Sequence, residues 1–349
     1  MTVPEARRAV SQSLVAREAG VARTTVSLAL RGGEGLSQET IDRVMRAAET
    51  LGYRPNNLVH AIRSGKSGLV GVMVPPHDSY WSDILHGIHD TLVENDHVPL
   101  VLWPKHRLPK PDEEAELRQV NRLIDWRADG AVLWPWYANL YQTHIAELRK
   151  RDLPLVTIDS ILPESFHADA VLSDEWQGAE LVAGHLLALG HRQILHFAGP
   201  HAEAWSRDRS DAIAQVIRRE PTAVLHTVEL SFTKPRPPFI RDAMKALPQV
   251  TAIFAATDEI AEEVYRIAAE MDLAIPGKLS VIGYGNVDIS SRLVPTLTTV
   301  RHQPYRMGKL AAKLLLERIK DPSPDREARI ERMAVEFVER HSTAPPCRS

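Results

Sequence analysis

Cysteine and long apolar runs are both nearly absent from this chain. The single cysteine, Cys347, is the third residue from the end. One thiol excludes a disulfide framework or a cysteine metal site within one chain. No stretch approaches the ~18 apolar residues of a membrane span. The opening "MTVPEARRAVSQS" lacks the apolar core of an export signal. A cytoplasmic protein with no membrane partner is therefore expected. Glycine signatures are incomplete as well. "SGKS" at 64–67 would need a glycine where His60 stands and a buried strand before it, so a phosphate-binding loop is excluded. "GYG" at 283–285 lacks the third glycine of a dinucleotide fingerprint, and no GxSxG elbow occurs. Histidines are present, but His86 and His89 have no third ligand nearby and His185, His191 and His196 fall on different elements. They read as surface or hydrogen-bonded core histidines. Neither metal nor cofactor is expected, and no catalytic constellation is complete.

What is there is a polar asymmetry on a chain long enough for several domains. The 349 residues carry a net charge of −3, yet residues 1–67 hold ten Lys or Arg against six acids. That segment is +4 and leaves −7 for the rest, so a polyanion would meet the head alone. The head reads as short helices. Ser11 caps a helix over 12–19 ended by Gly20, a second runs from Arg23 to Arg31, and Ser37 caps a third closed by Gly52. In the third, Ile41, Val44, Met45, Ala48 and Leu51 form the expected apolar stripe. Three such helices have the scale of a helix-turn-helix unit.

From Leu69 the rhythm becomes strand then helix. Apolar runs at 69–75, 99–103, 130–134, 153–158, 193–199, 223–230, 251–256 and 279–284 alternate with amphipathic segments. This predicts parallel sheets covered on both faces, in two doubly wound lobes, with ligands beyond the carboxyl ends of the strands. The segment "RPNNLVHAIRSGKS", 54–67, reads as a short helix over 56–63 followed by linker. Such a helix is marginal alone.

The blocks "VAREAGVARTTVSLAL" and "LSQETIDRVMRAAETLGYRPN", followed in the body by "LPLVTIDS", "TAIFAATDEIA", "LSVIGYGNVD" and "PTLTTVRHQP", together resemble the LacI-type family of bacterial transcription regulators. The resemblance covers nearly the whole chain. It implies an all-α helix-turn-helix head plus an α/β body of two parallel-sheet lobes like periplasmic sugar-binding proteins. It also implies a homodimer on a near-palindromic double-stranded operator, hinge helices in the central minor groove, and a small-molecule effector, such as a carbohydrate, between the lobes. The expected divisions are a head at 1–54, a hinge at 55–67, a body at 68–342 and a tail at 343–349. Lobe 1 would hold about 68–161 and 296–321, lobe 2 about 162–292 and 325–342, with crossings near 161–164, 292–296 and 321–325. The tail "ERHSTAPPCRS" has no heptads, so the family's coiled-coil tetramer is not expected.

Residue by residue, the resemblance places Arg23, Thr24, Ser27 and Leu28 against bases, with Arg23 suited to a bidentate guanine contact. Ser11, Thr25, Ser27, Arg31, Arg63 and Lys66 fall where phosphate and neighbouring contacts are made. His60 precedes Ile62, which takes the place of the family's intercalating leucine. Three departures stand out. Ala22 replaces the usual N-cap serine. Leu28 replaces an arginine, leaving a thymine-methyl contact or simple packing as its role. Gly285 replaces an acidic residue, leaving Asn286 or Asp288 to supply a polar group. At the cleft the expected ligand-facing residues are Tyr80, Trp81, Trp103, Trp134, Trp136, Asp159, Trp205, Arg209, Asp258 and Asn286, the tryptophans as stacking faces at strand ends. A ligand-responsive repressor is the function implied. The competing reading is a small-solute binding protein with the same body.

Overall fold

The computed structural model describes residues 10–30, 33, 35–54, 65–75, 79–103, 113–135, 146–148, 150–231, 234–323 and 326–347, with backbone alone at 113–116 and 165. The chain divides into two compact units, Met1–Ser67 and Gly68–Ser349.

In the first unit, α1 (Gln12–Ala19) starts where the Ser11 hydroxyl accepts the Leu14 amide, and it stops at Gly20 in the left-handed region, φ 64°. That conformation costs glycine nothing. α2 (Arg23–Ala29) follows after a tight turn in which the Val21 amide bonds the Ala16 carbonyl at 3.0 Å. α3 (Gln38–Thr50) is capped by Ser37. Val15, Ala16, Ala19, Val26, Ala29, Val44, Ala47 and Ala48 form the core, and the small residues let the helices cross closely. Met45 is a correction to the expected stripe. It is 50% exposed, because the buried arc of α3 runs through Val44, Ala47 and Ala48, and residue 45 lies about 100° around the helix from Val44.

The second unit contains two lobes. Lobe 1 is a six-stranded parallel sheet, ordered β11-β5-β4-β3-β1-β2. Its strands are β1 (Leu69–Met73), β2 (Val98–Val101), β3 (Gly130–Leu133), β4 (Leu155–Ile158), β5 (Asp169–Ser173) and β11 (Ile330–Met333). Residues alternate between faces: Val70, Val72, Val132, Val156 and Ile158 pack on α4 (Ser79–Glu94) and α11 (Pro304–Lys320), whereas Met73, Ala131 and Leu133 meet Val120 and Leu123 of α5 (Glu113–Asp125). α4 and α11 touch backbone to backbone. A Cβ on Gly87 would lie 2.1 Å from the Tyr305 carbonyl oxygen, and one on Gly308 2.1 Å from that of Ile84. Behind this pair sits a buried ion cluster. Asp169 of β5, 0% exposed, accepts from Arg318 of α11 at 2.8 and 2.5 Å, from the Arg329 amide at 2.7 Å and from the Arg329 guanidinium at 3.2 Å. Glu317 holds the other arm of Arg329 at 2.7 Å. β11 is thereby fastened to its neighbour β5.

Lobe 2 carries β6 (Gln193–Ala198), β7 (Val224–Glu229), β8 (Ala252–Ala255) and β9 (Ser280–Ile282), all parallel in the order β7-β6-β8-β9. It is covered by α6 (Glu175–Leu189), α7 (Ala204–Ile217), α8 (Pro237–Ala246), α9 (Asp258–Glu270) and the short α10 (Ile289–Arg292). β10 (Thr299–Arg301) and β12 (Glu336–Val338) pair antiparallel beside it. The lobe changes fall near Asp174, near His302 and between Met333 and Glu336, each later than expected. β5 and β11 hydrogen-bond into the lobe 1 sheet, and Thr298 and Arg301 bridge to the lobe 2 sheet, before the chain crosses. Nor does the body end at 342: the Ser342 carbonyl accepts the Val281 amide, and Ala344 bonds Ser280. The expected tail thus extends the edge beyond β9.

Candidate functional site

In the head, burying Val26 and Ala29 turns the opposite face of α2 outward. Arg23, Thr24 and Leu28 are exposed there, with Thr25 and Ser27 half-buried. Leu28 is 46% exposed and stands outside the head core, so core packing does not account for it. Ala22 caps α2 without any side-chain hydrogen bond, leaving first-turn amides pointing outward with no side-chain acceptor. Ser11 is exposed and its hydroxyl is engaged at its own helix end; Lys66 is exposed. Arg31, His60, Ile62, Arg63 and the hinge helix expected at 56–63 lie outside the described residues, as does Trp136.

In the body, the expected cleft residues do lie at or just past strand carboxyl ends: Trp103 after β2, Trp134 after β3, Asp159 after β4 and Asp258 after β8, with Tyr80 and Trp81 on the first turn of α4. Their roles differ. Trp81 is a correction: at 7% exposure it belongs to the lobe 1 core, its ring 5.0 Å from that of Trp134. The end of the sheet is apolar enough there to draw in an indole at the start of α4, so Trp81 offers no open stacking face. Trp103, Trp134 and Trp205 are half-buried.

Arg209 lies 3% exposed, its guanidinium 3.4 Å from the centre of the Tyr284 ring and 5.0 Å from that of Trp205. It donates to Glu175 at 2.8 and 2.7 Å and to the Ala256 carbonyl. Burial raises the Glu175 carboxyl above its ordinary range despite Arg209. Asp258 is fully buried and accepts from Thr299 Oγ1 at 2.6 Å and the Val287 amide at 2.9 Å. One oxygen is thus held by β10 and the other by the 283–287 loop, and burial lifts the carboxyl to about 6. Asn286 sits in the left-handed region and accepts from Arg340 at 2.7 Å.

Tyr80 donates to Asp159. His302 lies with its ring 5.0 Å from both Tyr80 of lobe 1 and Tyr284 of lobe 2, and its Nδ1 is 2.7 Å from Ser173 Oγ. The structure therefore brings Tyr80, Asp159, Trp205 and Arg209 into one buried polar cluster, and adds Ser173, Glu175, Tyr284 and His302, which sequence reasoning missed. Tyr284 stood in view in "GYG", read only for its glycines. Glu175, at the start of α6, carried no signal in the sequence.

Burial pushes Asp159 up to about 7, with the Tyr80 hydrogen bond opposing and Glu175 adding to the rise. Burial holds His302 down to about 3. The signs are opposite. The unfolded Asp159 ionises from about pH 4 and the folded one from about 7, so stability falls as pH rises across that window. A buried neutral histidine instead loses stability as pH falls below about 6.5. Asp159→Asn should remove the first slope alone. Thermal unfolding at about pH 5 and about pH 7 checks this: the variant should be stabilised relative to the parent at the higher pH, and parallel curves would refute the assignment.

The pattern of bacterial regulatory proteins, lacI family, matches residues 15–56, and that of the periplasmic binding protein-like domain matches 183–343. The HTH-type transcriptional repressor PurR of Vibrio cholerae serotype O1 is 27% identical over 330 residues, 93% of this chain and 96% of that protein. Among solved structures, the lac repressor dimer bound to operator and the anti-inducer ONPF superposes with TM-score 0.80 at 23% identity, covering 97% of this chain and 100% of that one. A LacI family transcriptional regulator from Enterococcus faecium with bound ribose gives 0.68 at 28%, covering 79% and 99%.

Proposed function

We propose, from the premise that this chain belongs to the lacI family of bacterial regulatory proteins, that it is a dimeric transcriptional repressor whose affinity for a near-palindromic operator is set by a small polar metabolite held between the lobes. The observation that carries the reading is the outward face of α2, on a unit that is basic overall while the rest of the chain is acidic. The ribose bound by the Enterococcus faecium regulator supports a metabolite of that size as ligand. The Vibrio cholerae relative is named a repressor, and no catalytic step is proposed for this chain. Ligand binding acts by population shift: a molecule that fits one arrangement of the lobes better than another changes the fraction of protein competent for DNA.

Arg23 carries the polar base contact, Thr25 and Ser27 touch phosphate, and Leu28 reads a thymine methyl or groove shape. Affinity for a selected operator should fall by roughly 10³-fold or more between about 50 and about 200 mM salt. A flat response would end the DNA-binding reading. In selected-site sequencing, Arg23→Ala should cost about 1–3 kcal/mol and relax one position of each half-site. Leu28→Ala should alter a different position; identical logos would remove Leu28 from the interface.

A further inference from the structure

A continuous chain of side chains runs from a carboxylate of lobe 1 to a carboxylate of lobe 2, and it passes through the hinge. It begins at Asp159, half-buried past the end of β4, whose carboxylate accepts from the Tyr80 hydroxyl of α4. The Tyr80 ring lies 5.0 Å from that of His302, and His302 lies 5.0 Å from the Tyr284 ring of lobe 2. The Arg209 guanidinium is 3.4 Å from the centre of the Tyr284 ring and donates to Glu175 at 2.8 and 2.7 Å. His302 stands at the second crossing between lobes and is tied to the first, its Nδ1 2.7 Å from Ser173 Oγ. The crossings are bound to the third as well. The Asp174 amide donates to the Met333 carbonyl at 2.8 Å, and the Gln303 side chain to the Ala334 carbonyl at 2.8 Å. With all three crossings pinned together, rotation of one lobe against the other must disturb a ring contact of His302.

The charges along this chain do not balance. Among the described residues Arg209 is the cation that acts on both Asp159 and Glu175, yet it is bonded to Glu175 and to the Ala256 carbonyl. Tyr80, Tyr284 and His302 face the cluster uncharged: burial raises both phenols and holds the histidine down to about 3. Asp174 and Asp208 add negative charge beside Tyr284 and Glu175. Two carboxylates, one on each lobe, thus share one guanidinium, and a charge left over in a water-poor interface is costly. One proton on Asp159 removes the deficit. Parting the lobes removes it too, by giving that carboxylate water.

We propose that this chain of contacts is a proton-dependent latch: lobes packed as here hold one proton more than parted lobes, so rising pH loosens them and pH acts as an effector of the repressor. The sign follows from Asp159. Burial, with Glu175 adding to it, delays its ionisation to about 7 in the packed lobes, whereas a hydrated aspartate ionises near pH 4. Packing is favoured in full below about pH 4, and the preference is lost as pH rises through about 7, by up to about tenfold per unit. The effect on operator affinity rests on the reading of the chain as a regulator; the latch itself does not.

Acrylamide quenching of tryptophan fluorescence and small-angle scattering on the full chain, from about pH 5.5 to about pH 8.5 at fixed salt, test it. Trp103, Trp134 and Trp205 are half-buried, and a quencher reaches them more readily as the lobes part. In the parent, quenching and radius of gyration should rise together as pH passes through about 7. Asp159→Asn carries no charge to lose and should keep the parent's low-pH values throughout. Glu175→Gln frees Arg209 to offset Asp159 and should move the rise down by about one pH unit or more. A flat parent profile overturns the proposal, as does a rise that survives in folded Asp159→Asn. If that variant does not fold, a Glu175→Gln profile identical to the parent's overturns it instead. Operator affinity should change over the same pH range in the parent and not in Asp159→Asn; an equal change in both would overturn pH as an effector acting through the lobes. A protein that binds no selected operator at any pH fails as a regulator, whatever its quenching profile.

Discussion

Asp169→Ala should destabilise the body by about 3–5 kcal/mol, the cost of leaving a buried charge without its partner. The carboxylate is wholly enclosed and takes a two-pronged contact from Arg318, which is itself 7% exposed. Burial by itself would raise the Asp169 carboxyl, but Arg318 and the amide and guanidinium of Arg329 outweigh it and hold it below the ordinary range. Its stabilisation is therefore present above about pH 4 and is lost as acid titrates the folded carboxylate. The alanine variant strands the buried Arg318 guanidinium, takes one of two acidic partners from Arg329 and releases the bond that seats the Arg329 amide. Urea unfolding of parent and variant near neutral pH measures the loss. A difference below about 1 kcal/mol, the range of exposed ion pairs, would show that the cluster is far wetter than its geometry implies. Replacing Asp169 and Arg318 together by apolar residues should recover much of the deficit, since the penalty comes from the orphaned partner.

Arg209→Ala should have a comparable cost, about 3–5 kcal/mol, and a pH signature that distinguishes it. Removal of the guanidinium leaves the buried Glu175 with no counter-charge. The Glu175 carboxyl is already raised by burial with Arg209 in place. Without it the folded protein would bind a proton more tightly still. Stability of the variant should then fall more steeply than that of the parent as pH rises above the unfolded carboxyl's range, and the gap should narrow in mild acid. Glu175→Gln in the same background should close most of it. On the proposed reading of the body as a ligand-binding unit, Arg209→Ala should also lose ligand at all pH values, because the guanidinium between the Tyr284 and Trp205 rings is gone. A pH-independent deficit would mean that Glu175 relaxes to solvent once its partner is gone.

Much of the head was legible because its signals are local. Ser11, Gly20 and Ser37 act on amides and dihedrals within a few residues: α1 begins and ends beside the first two, and α3 begins beside the third. The missed strands have a common cause. β10, β11 and β12 are three or four residues long, with Arg301, Glu331, Arg332 and Glu336 among them. So short and polar a run carries no periodic signal, and it becomes a strand only because a neighbour's amides and carbonyls are waiting. β5 was passed over beside the turn at 163–165, although all five of its residues are buried.

The cleft divides the same way. That Asp159, Trp134 and Asp258 stand at strand ends follows from chain order and parallel pairing, which apolar patterning reveals. Which of them face a ligand does not follow, because orientation depends on partners far away in sequence. Asp258 is claimed by Thr299 and Val287. Trp81 is claimed by the lobe 1 core, and Arg209 by Glu175, 34 residues upstream. By itself the sequence determined the kind of molecule: a basic helical head, a two-lobed parallel body and the family that both resemble. Tertiary structure alone decided which polar groups were neutralised and which were left over. Neutralisation is a matter of distance and burial, and neither is written in the spacing of residues along the chain.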